Sequence, residues 1–179
     1  MTISLRPHQN TCLDAMWKND KGQIIVPTGG GKTYIMIADC KRLVTTYPRS
    51  PQTIVVVAPR ILLANQLSNE FESEIKNCKI AHVHSGETHH FSTTKSIELT
   101  HWNSINPQYD KLIFTTYHSL NRVLDSMVNI DRIYFDEAHN STGKSFFEQI
   151  KRVAASGIER FFITATPRIS RSKHNVNAE

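Results

Sequence analysis

The stretch Ile24-Ile-Val-Pro-Thr-Gly-Gly-Gly-Lys-Thr33 leaves few folds open to this chain. Ile24, Ile25 and Val26 form a short apolar run, as a buried strand does. Gly29, Gly30 and Gly31 come next, and the segment 33–47 after Lys32 reads as a helix. Strand, glycine turn and helix in that order make a phosphate cradle. Glycines let successive backbone N–H groups turn toward one anion without Cβ clashes. The helix start adds its dipole and its unpaired N–H groups. In such a cradle Lys32 neutralises the β- and γ-phosphates and the Thr33 hydroxyl ligates Mg²⁺. The full form of the loop has glycine where Val26 stands, so the match is confined to Pro27, Thr28, Gly29, Gly30, Gly31, Lys32 and Thr33. The alternative is a plain glycine turn with an accidental Lys-Thr, and the rest of the chain decides between them.

Asp131-Arg-Ile-Tyr-Phe-Asp-Glu-Ala-His139 is the second anchor. The β-type run Ile133–Phe135 delivers two adjacent carboxylates at its end. Asp136 is placed to hold Mg²⁺ through water, and Glu137 to accept the proton of an attacking water. Neighbouring carboxylates at a strand terminus repel each other unless a cation is present, an arrangement that costs stability and so points to function. A solvated acidic turn is the alternative, and Lys32 argues against it.

With 179 residues, the chain can build one domain with a real core. A net charge of +5 permits contact with nucleic acid without requiring it. Cys12, Cys40 and Cys78 are odd in number and widely spaced, which suits neither a disulfide framework nor a CxxC metal pair. Cys40 falls in the apolar helix after the glycine loop and is expected to be buried. No stretch reads as a membrane span or a signal-peptide core, so the expectation is a soluble, intracellular protein, cytoplasmic, nuclear or in a viral factory.

Other segments are placed by period and punctuation. Pro7 suits the first turn of a helix over 8–18, in which Gln9 offers an amide that can pair with both N6 and N7 of an adenine. A solvated helix-start glutamine is the plainer reading of Gln9. Residues 53–58 are β-branched without alternation, a strand buried on both faces. Pro59 and Arg60 close that strand, and a helix over 61–76 carries Gln66; all three could touch a nucleic-acid backbone or simply be cap and loop residues. Residues 80–84 read as a strand, 86–93 as a polar mobile loop, and 94–104 as a helix with Ile97, Trp102 and Ile105 as its apolar set. His82, His84, His89, His90 and His101 do not read as a metal site, because no cysteine accompanies them and no pair has helical i, i+4 spacing. Residues 111–115 are a strand, and Thr115, Thr116 and Tyr117 put hydroxyls and an aromatic at its end, suited to phosphate contact and base stacking or to a helix cap. Helices are expected over 120–127 and 143–155, and a last strand over 160–163 ends in Thr164-Ala-Thr-Pro167.

The order Leu5-Arg-Pro-His-Gln9, Pro27–Thr33, Ala58-Pro-Arg60, Thr115-Thr-Tyr117, Asp136-Glu-Ala-His139 and Thr164-Ala-Thr-Pro167 resembles the first RecA-like domain of superfamily 2 DEAD/DEAH-type helicases. Within them it is most similar to the branch of type I and III restriction-enzyme helicase subunits and related phage and viral DNA helicases. The resemblance implies an α/β fold, a three-layer αβα P-loop domain with a mostly parallel sheet. It implies that Gln9, helped by Arg6, reads adenine, and that Gly29–Thr33 hold the triphosphate of ATP and its Mg²⁺. Asp136 and Glu137 would be the metal carboxylate and the water-activating base. His139 with Thr164 and Thr166 would couple hydrolysis to movement. Pro59, Arg60, Gln66 and Thr115–Tyr117 would lie on a nucleic-acid track, for DNA in preference to RNA. The helicase domain would span 1–167, and 168–179 would be a polar tail or the start of a linker to a second RecA-like domain that supplies the arginine fingers. His8, where an aromatic is common, and Val26 depart from the pattern.

The leading expectation is thus an ATP-dependent helicase or translocase motor domain that is nearly inactive without its second half. An isolated nucleotide-binding or interaction module that never turns over is the alternative, and an intact Glu137 argues against it. A small-molecule kinase of P-loop type is disfavoured by Asp136–His139 and Thr164–Thr166.

Overall fold

The computed structural model describes residues 5–48, 50–138 and 144–166, with backbone alone at 144 and 145. The expected tail, 168–179, lies outside the described residues. Helix α1 (Pro7–Lys18) leads into strand β1 (Lys21–Ile25), and α2 (Lys32–Thr46) into β2 (Thr53–Ala58). Then follow α3 (Ile61–Glu74), β3 (Cys78–Val83), β4 (Phe91–Thr93), α4 (Ser96–Ser104) and β5 (Asp110–Thr116). The chain continues with α5 (Leu120–Leu124), β6 (Arg132–Asp136), α6 (Lys144–Ala155) and β7 (Glu159–Thr164).

Among the described residues, seven strands make one sheet in the order β1-β7-β6-β2-β5-β3-β4, and every pairing is parallel. The chain first runs from β1 across to β4, then turns back through β5, β6 and β7. Reversal of direction puts the later helices on the opposite face. Alternate strand residues divide accordingly, as the two-residue period requires. Ile54, Val56, Phe114 and Tyr134 pack under α1, α2 and α3, with Met16, Met36 and Phe71. Val55, Val57, Ile113 and Phe135 pack under α4, α5 and α6, with Leu99, Val123 and Ile150. β2 is buried at all six positions because it lies in the middle of the sheet with a layer on each face.

Two sequence expectations are corrected here. Residues 91–93 are not loop but an edge strand, with Ala81 opposite Phe91 and Val83 opposite Thr93. Three residues are too few to show a period; Phe91 is held by stacking on Trp102 with ring centroids 5.6 Å apart. In α4 the buried face is Leu99 and Trp102, while Ile97 and Ile105 are exposed. Leu99 and Trp102 are three residues apart and share a face, whereas Ile97 falls on the other side of the helix.

The amino ends of the strands carry a buried ionic network that the sequence did not announce. Arg132 donates to both Asp39 and Glu159, and the Tyr134 hydroxyl donates to the same Asp39 oxygen at 2.6 Å. Asp131 accepts the backbone N–H of Thr53, and Asp110 that of Gln52, each at 2.7 Å. These carboxylates fix the start of β2 against its neighbours β5 and β6.

Candidate active site

The carboxyl ends of β1, β6 and β7 bring the glycine loop, Asp136–Glu137 and Thr164–Thr166 to one edge, where open α/β sheets bind their ligands. The loop conformation needs its glycines. Gly29 and Gly31 have φ of +77° and +82°, in the left-handed region. A Cβ on Gly30 would lie 2.4 Å from Val26 Cγ1, and one on Gly31 would lie 2.3 Å from Gln9 Nε2. Val26, the departure from the loop consensus, is buried in the core, so its side chain makes Gly30 the obligatory glycine. Gly31 is the N-cap of α2 and has no side chain to cap it. The first N–H groups of the helix therefore keep their capacity for an anion.

Lys32 opens α2 and reaches across to Glu137, with Nζ 2.6 Å from Oε1. Glu137 has φ of +49°, a left-handed conformation rare for a side chain of this kind, at the step out of β6. Such a conformation costs on the order of 1–3 kcal/mol and is characteristic of functional sites. Asp136, the last residue of β6, is buried, and its carboxyl is pushed up to about 6. Burial is the main cause and the neighbouring Glu137 the second, with Lys32 acting in the opposite sense. A buried carboxylate raised by its surroundings suits a divalent cation, which would reverse both causes. With the crowded glycine cradle and the uncapped helix start, the residues present fit a Mg²⁺-bound triphosphate. Thr33, in the first turn of α2, sits beside Lys32.

Gln9 is buried at the start of α1 and already committed. Its Oε1 accepts the Arg6 backbone N–H at 2.8 Å, and its Nε2 donates to Gly30 O at 3.1 Å. His8 Nε2 lies 3.0 Å from the same carbonyl. Gln9 thus links the α1 start to the glycine loop, while the Arg6 side chain, Pro27 and Thr28 are exposed on the rim. Thr164 donates to Thr166 O at 3.1 Å and accepts the Thr166 N–H at 3.2 Å, closing a turn at the end of β7. The Val26 N–H donates to Thr164 O at 3.0 Å, so this turn adjoins the loop. His139, expected to contact it, lies outside the described residues.

A second cleft, of about 600 Å³, opens at the carboxyl ends of β2, β3 and β5. Pro59, Arg60 and Thr116 line it, together with His118 and Ser119 of the same strand-end cluster and with Arg122, which the sequence did not single out. Arg122 donates to Ser119 Oγ at 3.1 Å, one helical turn away. That i, i+3 pair in a segment taken for an ordinary helix is the signal that could have revealed Arg122. Three further residues expected on the track do not line this cleft. Thr115 is fully buried and its hydroxyl donates to Val83 O at 2.8 Å. Tyr117 turns inward, its hydroxyl donating to the Asp136 carbonyl at 2.5 Å and its ring packing edge-on against Phe146. It braces the acidic turn. Gln66 is exposed on α3, paired with Glu70 at 3.1 Å, and is not part of the cleft wall.

The family model described as type III restriction enzyme, res subunit, matches residues 2–169. Among curated protein sequences none matches the chain. Several solved structures share its fold. A nuclease-deletion mutant of the Type ISP restriction-modification enzyme LlaGI, in complex with a DNA substrate mimic, gives a TM-score of 0.75 at 22% identity over 97% of this chain and 19% of that one. The Pyrococcus furiosus Hef helicase domain gives 0.71 at 21% identity over 97% of this chain and 35% of its own. The Sulfolobus solfataricus SWI2/SNF2 ATPase core in complex with double-stranded DNA gives 0.63 at 21% identity, over 92% and 32%. The chain therefore spans between about a fifth and about a third of these proteins. Among the described residues no helix is long and apolar enough to cross a membrane.

Proposed function

We propose, for a chain that belongs to the family of the type III restriction enzyme res subunit and forms a superfamily 2 RecA-like motor domain, that it binds Mg-ATP and hydrolyses it when a second domain closes the site. The observation that supports this reading is the contact of Lys32 with Glu137, 2.6 Å apart, between the glycine loop and the acidic turn. When nucleotide binds, Lys32 leaves Glu137 for the terminal phosphates. Glu137 then takes the proton of the attacking water, held at its site by the strained step out of β6. Mg²⁺ supplies neutralisation of the phosphate oxygens, with Thr33 and Asp136 as the residues that would hold it. Gln9 would read the adenine while bonded to Gly30, so that base recognition and loop position are linked. Thr164 and Thr166, next to Val26, would pass loop movement on to the rest of the chain, with His139 as their expected partner.

An arginine delivered from outside the site typically adds about 10³–10⁵ to nucleotide hydrolysis. A second RecA-like domain in cis would supply it. The track for nucleic acid is the cleft of Pro59, Arg60, Thr116 and Arg122, where cations and hydroxyls suit backbone phosphates. DNA is favoured over RNA, since two of the structures of like fold hold DNA. The test is single-turnover hydrolysis of Mg-ATP by this chain, with and without duplex DNA. Very slow turnover, with ATP still bound, supports a motor that needs its other half. Brisk turnover would place the missing arginine in this chain or a second copy and refute the two-domain account. Absence of ATP binding would overturn the whole reading.

A further inference from the structure

We propose that Glu72, His89 and His90 form a binding site for a transition-metal dication of the zinc type, tying the last turn of α3 to the segment that enters β4. Glu72 Oε2 lies 3.6 Å from His89 Nε2 and 3.4 Å from His90 Nε2, and all three atoms lie within 4.8 Å of one another. These spacings are too long for charge-assisted hydrogen bonds, which run at about 2.7–2.9 Å. They fit the edges of a tetrahedral zinc site, where ligands about 2.0–2.2 Å from the metal stand about 3.4 Å apart. Two imidazoles and a carboxylate are a donor set that zinc accepts, with a fourth position left for water. A cleft of about 420 Å³ bordered by Glu72, Lys79, His90 and Trp102 leaves room for that water.

His90 adds a second, independent sign. Its Nε2 is buried and makes no hydrogen bond among the described residues. A buried imidazole nitrogen that faces a carboxylate at 3.4 Å without a hydrogen bond is costly unless something fills the place.

The rings behind it prepare the site. His82 stacks on His90, with centroids 5.6 Å apart and planes 7° from parallel, and so fixes the orientation of the His90 ring. Tautomers follow from the hydrogen bonds. The Gly86 N–H donates to His84 Nδ1 at 3.1 Å, so a neutral His84 carries its proton on Nε2. That proton points to His82 Nδ1 at 2.9 Å. His82 accepts it on that nitrogen, which leaves its ring neutral. The inner histidines therefore bring no positive charge against a dication. His89 and His90, with centroids 3.9 Å apart, would repel each other as two imidazolium ions but can share one metal. The absence of helical His spacing, which argued against metal in the sequence, is answered by Glu72: the helix supplies the carboxylate and the loop supplies both imidazoles.

The test is a calorimetric titration of the full chain with zinc chloride in millimolar Mg²⁺, which occupies hard oxygen sites elsewhere. One zinc per chain is expected. Glu72→Gln and His89→Gln should each weaken it by at least the about 10–100-fold that loss of even a supporting partner costs a metal site. His89 has 66% of its side chain exposed, so its replacement leaves the fold intact. His101→Gln, an exposed histidine elsewhere, should leave binding unchanged. No zinc binding by the parent chain, or equal binding in Glu72→Gln and His89→Gln, would overturn the proposal.

Discussion

Replacing Asp136 by asparagine should make the nucleotide-free chain more stable. The Asp136 carboxyl is raised from 3.8 to about 6, first by burial and then by Glu137. Each tenfold change in proton affinity is worth about 1.4 kcal/mol, so the ionised form costs the fold about 3 kcal/mol. The sign follows from linkage: for a raised folded-state pKa, stability is fully present below 3.8 and is lost as pH rises through about 6. Asparagine stays neutral and can still accept the Glu137 N–H that Asp136 accepts. Its amide hydrogens need partners, which takes back about 1–2 kcal/mol. Asp136→Asn should therefore gain about 1–2 kcal/mol at pH 7.5, and less at pH 4.5, where the cost has fallen to about 1 kcal/mol. Thermal unfolding in EDTA at the two pH values measures this, at about 2–4 °C per kcal/mol for a chain of this size. A variant less stable than the parent at pH 7.5, or a difference that does not change with pH, would refute the argument that the site gives up stability to hold a cation.

Three further outcomes follow from the packing. Gly30→Ala should destabilise by about 1–3 kcal/mol in urea unfolding, because its Cβ would meet Val26 Cγ1 and the Pro27 carbonyl; adding Val26→Ala should recover part of the loss. Asp39→Asn should cost about 3 kcal/mol, since Arg132 and Tyr134 both depend on that fully buried carboxylate; a near-neutral result would mean that Glu159 alone satisfies Arg132. Arg60→Ala and Arg122→Ala should each weaken DNA binding and lower its salt slope by about one, whereas Gln66→Ala, outside the cleft wall, should change neither in a fluorescence titration across salt concentrations.

Much of the fold was legible because a parallel sheet buried on both faces writes unbroken β-branched runs. Thr53–Ala58 is such a run, and it occupies the middle of the sheet. Helix α2 could be placed from its glycine start. β4 could not, since three residues carry no period and its position depends on Phe91 meeting Trp102 from α4. The face of α4 was misread for a related reason: isoleucines counted as core by type are exposed by direction. At the candidate site, the glycine loop and the acidic turn could be read because each packs its chemistry into a few consecutive residues. The partners of Thr115 and Tyr117 could not be read, because Val83 and Asp136 reach them from other strands. Asp39, Arg132 and Glu159, and equally Glu72 with His89 and His90, come from separate elements, so only the fold brings them together.

Equilibrium binding of Mg-ATP to the parent chain, Lys32→Ala and Glu137→Gln shows whether the glycine loop and the acidic turn hold nucleotide together. The account predicts that Lys32→Ala loses binding, and that Glu137→Gln binds at least as tightly as the parent, because Lys32 no longer has to leave a carboxylate 2.6 Å away. Unchanged affinity in Lys32→Ala would contradict it.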